Sequence, residues 1–197
     1  MNVTREFFAA RAAGWDDRFP DDGPAFAAAV DALCPPVGGT ALDAGCGTGR
    51  ALELLRRSVG PTGCVVGMDL TPEMLTEAAG KRRAAAASLI LGDVGCSPLR
   101  DSSVDSVLGA GLLPHLADPL AGLKELARVT RPGGRIGLFH PIGRAALAAR
   151  HRHPPCADDP RAEPVVRALL AEAGWQTDLV DDGEERYLVV ATRLRGP

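Results

Sequence analysis

The residues of this chain best suited to chemistry gather around one short segment, Leu42-Asp43-Ala44-Gly45-Cys46-Gly47-Thr48-Gly49. Glycines at 45, 47 and 49 let a backbone turn sharply and approach a ligand closely, and a helix opening there would offer its first N–H groups to a carboxylate or phosphate. A nucleotide-like ligand is implied. The dinucleotide fingerprint GxGxxG/A needs a small residue at its sixth position; here that residue is Arg50, and the spacing is GxGxG. Asp43 precedes the loop, where a carboxylate would oppose a pyrophosphate and suit a cationic ligand. Asp69 follows Gly49 by 20 positions, near the spacing of a ribose-binding acid, and one carboxylate can accept two hydrogen bonds from a vicinal diol.

Such residues need strand ends to stand on. β-like runs at 40–43, 64–69, 88–91, 104–108 and 135–139 alternate with helical runs at 49–58, 72–79 and 119–129. Thr71 and Asp118 read as N-caps, each followed by proline at the first helical position. This alternation implies a parallel sheet covered on both faces, with ligands at the carboxyl ends of its strands. A helical preface at 2–34 divides into Phe7 to Trp15 and Pro24 to Leu33 around the turn-forming run Pro20 to Pro24. The tail adds a helix from Glu163-Pro164 to Gly174, then runs at 175–180 and 187–192 around Asp181-Asp182-Gly183, which read as a hairpin. The expected fold is α/β, a doubly wound Rossmann-like sheet of seven strands, mostly parallel with a C-terminal antiparallel hairpin strand. The expected organisation is one domain over 1–197, with a helical cap (1–34), a cofactor-binding core (35–141), a short rim loop (142–162) and a closing helix and hairpin (163–197).

With 46% hydrophobic residues and a net charge of -3, the 197-residue chain can bury a core and is not a disordered polymer. Its 22 Lys and Arg are dispersed, which argues against a nucleic-acid partner. No apolar run reaches the roughly 18 to 20 residues of a membrane span, and the N-terminus lacks a secretory pattern. Five cysteines (34, 46, 64, 96 and 156) form no CxxC pair, so a reducing, cytoplasmic setting is expected. His151, His153, Cys156, Asp158 and Asp159 fit no regular ligand spacing, and no metal is expected.

On the loop Asp43 to Gly49, the strand Val65-Val66-Gly67-Met68-Asp69-Leu70, and the block Glu125-Leu126-Ala127-Arg128-Val129-Thr130-Arg131-Pro132-Gly133-Gly134, the chain resembles the class I S-adenosylmethionine-dependent methyltransferases. It is most similar to the small-molecule branch that includes the ubiquinone and menaquinone biosynthesis enzymes. The resemblance covers about residues 5–141. It implies S-adenosylmethionine as cofactor and S-adenosylhomocysteine as its product. The loop with Asp43, Gly45, Cys46, Gly47 and Gly49 would hold the methionine part and Asp69 the ribose. Asp93 would accept from the adenine amino group between apolar walls from Leu70 and Val94, and Gly109 would line the reactive end. The implied activity is methyl transfer to an O, N or C atom of a small metabolite. The resemblance also implies that the preface, with its Trp15-Asp16 pair, folds over the cofactor as a lid. The segment after the fourth strand, Gly109 to Leu112, lacks the Asn/Asp-Pro-Pro-aromatic turn of nucleobase and amide methylation. A nicotinamide oxidoreductase and a non-catalytic cofactor-binding sensor or partner subunit are the competing readings.

His115 and His140, expected at the mouths of the fourth and fifth strands, are candidate general bases because imidazole titrates near neutrality. Arg144, Arg150 and Arg152 are expected to form a cationic rim that attracts an anionic acceptor.

Overall fold

The computed structural model describes residues 3–18, 22–81, 83–151, 156 and 158–195. Seven strands form one sheet: β1 (Thr40–Ala44), β2 (Cys64–Asp69), β3 (Ser88–Leu91), β4 (Val104–Ala110), β5 (Thr130–His140), β6 (Trp175–Asp182) and β7 (Tyr187–Arg193). Their order is β3-β2-β1-β4-β5-β7-β6. The first five are parallel, and β7 inserts antiparallel between β5 and β6. The sheet is therefore the expected seven-stranded, mostly parallel one with an antiparallel C-terminal hairpin. The chain order reverses direction between β1 and β4, which opens a crevice at their carboxyl ends.

Both faces are covered. On one side α2 (Gly23–Leu33) and α3 (Leu52–Val59) bury Phe26, Val30, Leu33, Leu52 and Leu55 against β1, β4 and β5. On the other, α5 (Pro119–Val129) and α7 (Glu163–Glu172) bury Leu123, Leu126, Val166 and Leu170 against Leu42, Val107, Ile136 and Val189. Trp175 is 1% exposed and donates its indole N–H to the Leu123 carbonyl at 3.1 Å. An indole so buried and satisfied ties β6 to α5, and its loss would cost about 3–5 kcal/mol. No described helix is long and apolar enough to cross a membrane.

Several elements depart from the sequence-based expectation. In place of the helix expected from Phe7 to Trp15, the preface forms α1 (Val3–Ala9) and then two short 3-10 turns at 12–14 and 16–18. The helix expected from Gly49 starts at Leu52, since Gly49 has φ +80° and continues the loop. Asp118 caps α5 as expected, accepting from Ala121 N at 3.0 Å. Thr71 makes no side-chain cap on α4 (Pro72–Gly80); Asp69 Oδ1 instead accepts from the Thr71 N–H at 2.8 Å. Between Val104 and Ser106 the β4–β5 register shifts, and Arg131 to Gly134 loop outward within a longer β5. After β5, α6 (Arg144–His151) forms at the start of the segment expected to be a rim loop. Phe19 to Asp21, Arg152, His153, Pro154 and Pro155 lie outside the described residues.

The sequence block around Arg128 holds the fold together. Arg128 Nε donates to Glu125 at 2.8 Å and Nη2 to the carbonyls of Ser97 and Leu99 at 3.2 and 3.0 Å, while Nη1 meets Asp101. Asp105 accepts from Thr40 N at 2.8 Å and pairs with Arg131. These charged residues anchor the β3–β4 connection and the start of β1, far from the strand ends that face the crevice.

Candidate functional site

The glycine loop leaves the end of β1 and is turned by its own hydrogen bonds. Gly45 and Cys46 N–H both donate to the Met68 carbonyl, at 2.8 and 2.9 Å, and Gly49 N–H donates to the Cys46 carbonyl at 2.8 Å. The Gly47 N–H donates to Asp69 Oδ2 at 2.8 Å. The loop's N–H groups at these four positions are thus taken by the protein rather than left for the carboxylate or phosphate of a ligand. At Gly49 a Cβ would lie 2.7 Å from Leu52 Cδ1, and φ is +80°; at Gly47, with φ +54°, nothing but Met74 Sδ at 4.0 Å would meet it. One glycine is demanded by packing and the other leaves open space at the ligand side.

Carboxylates, rather than amides, define the electrostatics. Asp43 is 2% exposed and its Oδ1 has no partner among the described residues. Burial and then the Asp69 charge push its carboxyl up to about 7. Asp69, at the end of β2, is also raised by burial, although its bonds from Thr71 and Gly47 N–H oppose that shift. Burial and the same two aspartates push the Cys46 thiol far up, so it is an inert apolar wall. An orphaned buried carboxylate oxygen beside an open glycine turn fits a ligand that carries positive charge.

The remaining residues singled out by sequence stand along neighbouring strand ends. Leu70 follows Asp69 and is half-buried. Asp93 and Val94 follow β3, whose Leu91 pairs with Asp69. Val94 is buried, whereas Asp93 is exposed and accepts from Gly95 N at 2.8 Å. Gly109 lies on β4 one residue beyond Leu108, the register partner of Asp43. His115 follows β4 at the rim, its ring edge-on to Phe8 with centroids 5.0 Å apart. His140 ends β5, with Nδ1 2.9 Å from the Ile142 carbonyl oxygen. Burial, then the Arg161 charge, lowers the His115 pKa; burial first, with Arg161 and His115 adding, lowers that of His140. Both rings are neutral at pH 7.

The preface reaches the same crevice. Phe8 packs between Trp15, at 5.3 Å, and His115. Asp16 accepts from the Thr48 hydroxyl at 2.5 Å and pairs with Arg83 at 2.8 Å and Lys81 at 3.1 Å. The Trp15-Asp16 step is thereby pinned directly to the glycine loop, and Arg50 pairs with Asp22 beside it.

The rim differs from expectation. Arg144 is not a free cation: it pairs with Asp159 and Asp182, each at 3.2 Å. Arg150 is exposed on α6, and Arg152 lies outside the described residues. Arg161 and Tyr187, which sequence reasoning passed over, line a small cleft with Gly109, Leu113, Leu138 and His140. The one available signal was that Tyr187 is the chain's single tyrosine. Among the described residues no three His, Cys, Asp or Glu side chains converge as a metal site would require.

A doubly wound sheet with acids at the ends of β1 and β2 is a Rossmann-like architecture, whose ligands bind at the switch point. Residues 42–138 match the family model described as a methyltransferase domain, and the chain carries an S-adenosylmethionine-dependent methyltransferase domain of class I. An arsenite methyltransferase of Halobacterium salinarum is 31% identical over 83% of this chain and 47% of its own length. A demethylmenaquinone methyltransferase of Staphylococcus aureus is 42% identical over 50% of this chain and 42% of its own. A solved S-adenosylmethionine-dependent methyltransferase of Aquifex aeolicus superposes with a TM-score of 0.68 at 25% identity, over 84% of this chain and 87% of that one. The chain spans less than half the length of these curated relatives.

Proposed function

We propose that the chain catalyses methyl transfer from S-adenosylmethionine to an O, N or C atom of a small-molecule acceptor seated at the ends of β4 and β5. The observation that carries this reading is the glycine turn itself. Its N–H groups at 45, 46, 47 and 49 are used internally while the buried Asp43 and the half-buried Asp69 flank it, a setting that repels a pyrophosphate and favours a cation. The residues present fit the cofactor: Asp43 and the loop face its charged methionine part, Asp69 its ribose, and Leu70, Asp93 and Val94 its adenine. When bound, its sulfonium supplies an electrophilic methyl group.

The chain's own residues orient and exclude. Phe8 and Trp15 cover the β4 mouth, and we assign residues 1–34 the role of a lid locked through Asp16. Residues 142–151 and 158–162 form the rim above the acceptor. Alignment of this kind can supply roughly 7–11 kcal/mol of acceleration, so a dedicated base is optional. Where a proton must leave the acceptor, His140 is suited to take it. Its Nδ1 lies 2.9 Å from the Ile142 carbonyl oxygen and 3.2 Å from the Ile142 N–H; in the tautomer whose Nδ1 donates to that carbonyl, Nε2 carries the lone pair.

Calorimetry with S-adenosylhomocysteine tests the reading. Binding is expected, with Asp69→Ala weakening it at least about tenfold, as for a lost charge-assisted bond, and with no comparable affinity for NAD. Tighter binding of NAD would transfer the site to a nicotinamide oxidoreductase. Cofactor binding with no turnover across a metabolite screen using methyl-labelled cofactor would make the chain a sensor.

A further inference from the structure

The cleft between the ends of β4 and β5 contains a polar pair for which the glycine-loop site has no use. Tyr187 opens β7, where register places it beside His140 on β5 and beside Asp182 on β6. Neighbours in register across a sheet share a face, so a phenol, an imidazole and a carboxylate stand in one row. The Tyr187 ring is 2% exposed, and its hydroxyl has no hydrogen-bond partner among the described residues. Leaving a hydroxyl buried and unpaired is unfavourable. Phenylalanine would fill the same space without that cost.

Arg161 enters the cleft from the segment before α7. Its Nε and Nη2 donate to Asp159 at 3.0 and 2.9 Å. Asp159 is shared, because Arg144 Nε also reaches it at 3.2 Å, while Arg144 Nη1 lies 3.2 Å from Asp182. Two guanidiniums and two carboxylates make an interlocked frame that fixes Arg161 in place, with its positive charge felt by His115, His140 and Tyr187 alike. Burial and Asp182 raise the Tyr187 phenol, so it stays protonated and can only donate to a negatively charged guest. The cleft these groups line has a volume of about 10 Å³, room for a single oxygen-sized group.

We propose that Tyr187 Oη and the Arg161 guanidinium form an oxyanion subsite that selects methyl acceptors bearing a negatively charged oxygen, either a carboxylate or a phenolate or enolate. The proposal rests on the methyl-transfer reading of the same crevice and adds its substrate class. Its consequence for the reaction is charge balance. The acceptor brings a negative charge that the cationic cofactor balances, and hydrogen bonds from Arg161 and Tyr187 hold its oxygen in place without forming a covalent bond to it. Arg161 and Tyr187 are specificity-determining residues in this scheme, and the histidines beside them remain neutral.

The test uses three probes on the full chain saturated with S-adenosylhomocysteine: 4-nitrophenolate, its uncharged analogue 4-nitroanisole, and benzoate. Binding is read from the nitrophenolate absorbance and by calorimetry. The anion should bind at least about tenfold more tightly than the anisole, and Arg161→Gln should remove that preference, as expected for charge-assisted hydrogen bonds. Tyr187→Phe, which preserves packing, should weaken the anion severalfold and leave the anisole unchanged, and Arg161→Lys should restore part of the loss. Benzoate displacing nitrophenolate at equal concentration identifies a carboxylate site, and failure to displace identifies a phenolate or enolate site. Equal affinity for anion and anisole, or anion binding unmoved in both variants, overturns the subsite. Failure of wild-type chain to bind S-adenosylhomocysteine instead overturns the methyl-transfer reading, and is seen before any probe is added.

Discussion

Asp43→Asn should stabilise the ligand-free protein at pH 8 and leave its stability nearly unchanged at pH 4. The carboxyl ordinarily titrates at 3.8 and is pushed up to about 7 in the fold, first by burial and then by Asp69. Between those values the folded chain holds a proton that the unfolded chain has released. Linkage then makes stability fall as pH rises through this window. A displacement of about three pH units corresponds to ~4 kcal/mol at 1.36 kcal/mol per unit, an upper bound at pH 8. The assay is urea denaturation of both proteins from pH 4 to 8. Asp69, His115 and His140 also have shifted pKa values; the histidines are common to both proteins, so the difference between the curves reports Asp43 together with its coupling to Asp69. The same variant should bind S-adenosylhomocysteine poorly, and wild-type binding near pH 7 should release a proton, seen as a dependence of the binding heat on the buffer. A difference curve that is flat with pH, or an asparagine variant less stable at pH 8, would refute the electrostatic account of the loop.

Asp69→Ala should lower stability by about 1–3 kcal/mol, because the Gly47 and Thr71 N–H groups lose their acceptor; denaturation of the ligand-free chain measures it. Gly49→Ala, at φ +80° and 2.7 Å from Leu52 Cδ1, should cost about 1–3 kcal/mol, and an unchanged midpoint would contradict the turn geometry. Asp16→Ala unlocks the preface from Thr48, Lys81 and Arg83, so S-adenosylhomocysteine should dissociate several-fold faster in stopped flow while the core keeps its melting temperature within a few degrees. If His115 or His140 takes the acceptor's proton, turnover should be level above pH 7 and decline only as pH falls below the ordinary histidine range, since both pKa values are lowered. Its alanine variant should lose turnover but keep cofactor affinity.

The sheet was legible because its signals are local. Proline after Thr71 and after Asp118 marks helix starts, and short β-branched runs separated by such helices specify parallel strands. The glycine loop and Asp69 were legible by type and spacing. What spacing could not show was how they satisfy one another. The capping role given to Thr71 is not taken up by its side chain, its backbone N–H is held by Asp69, and the N–H groups offered to a ligand are consumed by Met68, Cys46 and Asp69. Arg144 read as a free rim cation because Asp159 and Asp182 are distant in sequence and meet it only through the fold. Arg161 and Tyr187 were invisible for the same reason: only the β5–β7–β6 register and the return of the chain before α7 bring them to one cleft.

The insertion of β7 between β5 and β6 has a mechanical consequence. A machine that pulls on the chain from beyond Arg195 meets a strand laddered on both sides, with Leu188 to Ala191 buried at its centre. It must shear two rows of hydrogen bonds together before any other element yields. Pulling from the other end peels α1 and the short turns behind it, which are held by aromatic edges and the Asp16 pairs rather than by a ladder. The molecule is therefore a directional load, soft at one end and stiff at the other. An ATP-driven unfoldase should degrade it faster when its recognition tag is fused before residue 3 than when it is fused after residue 195.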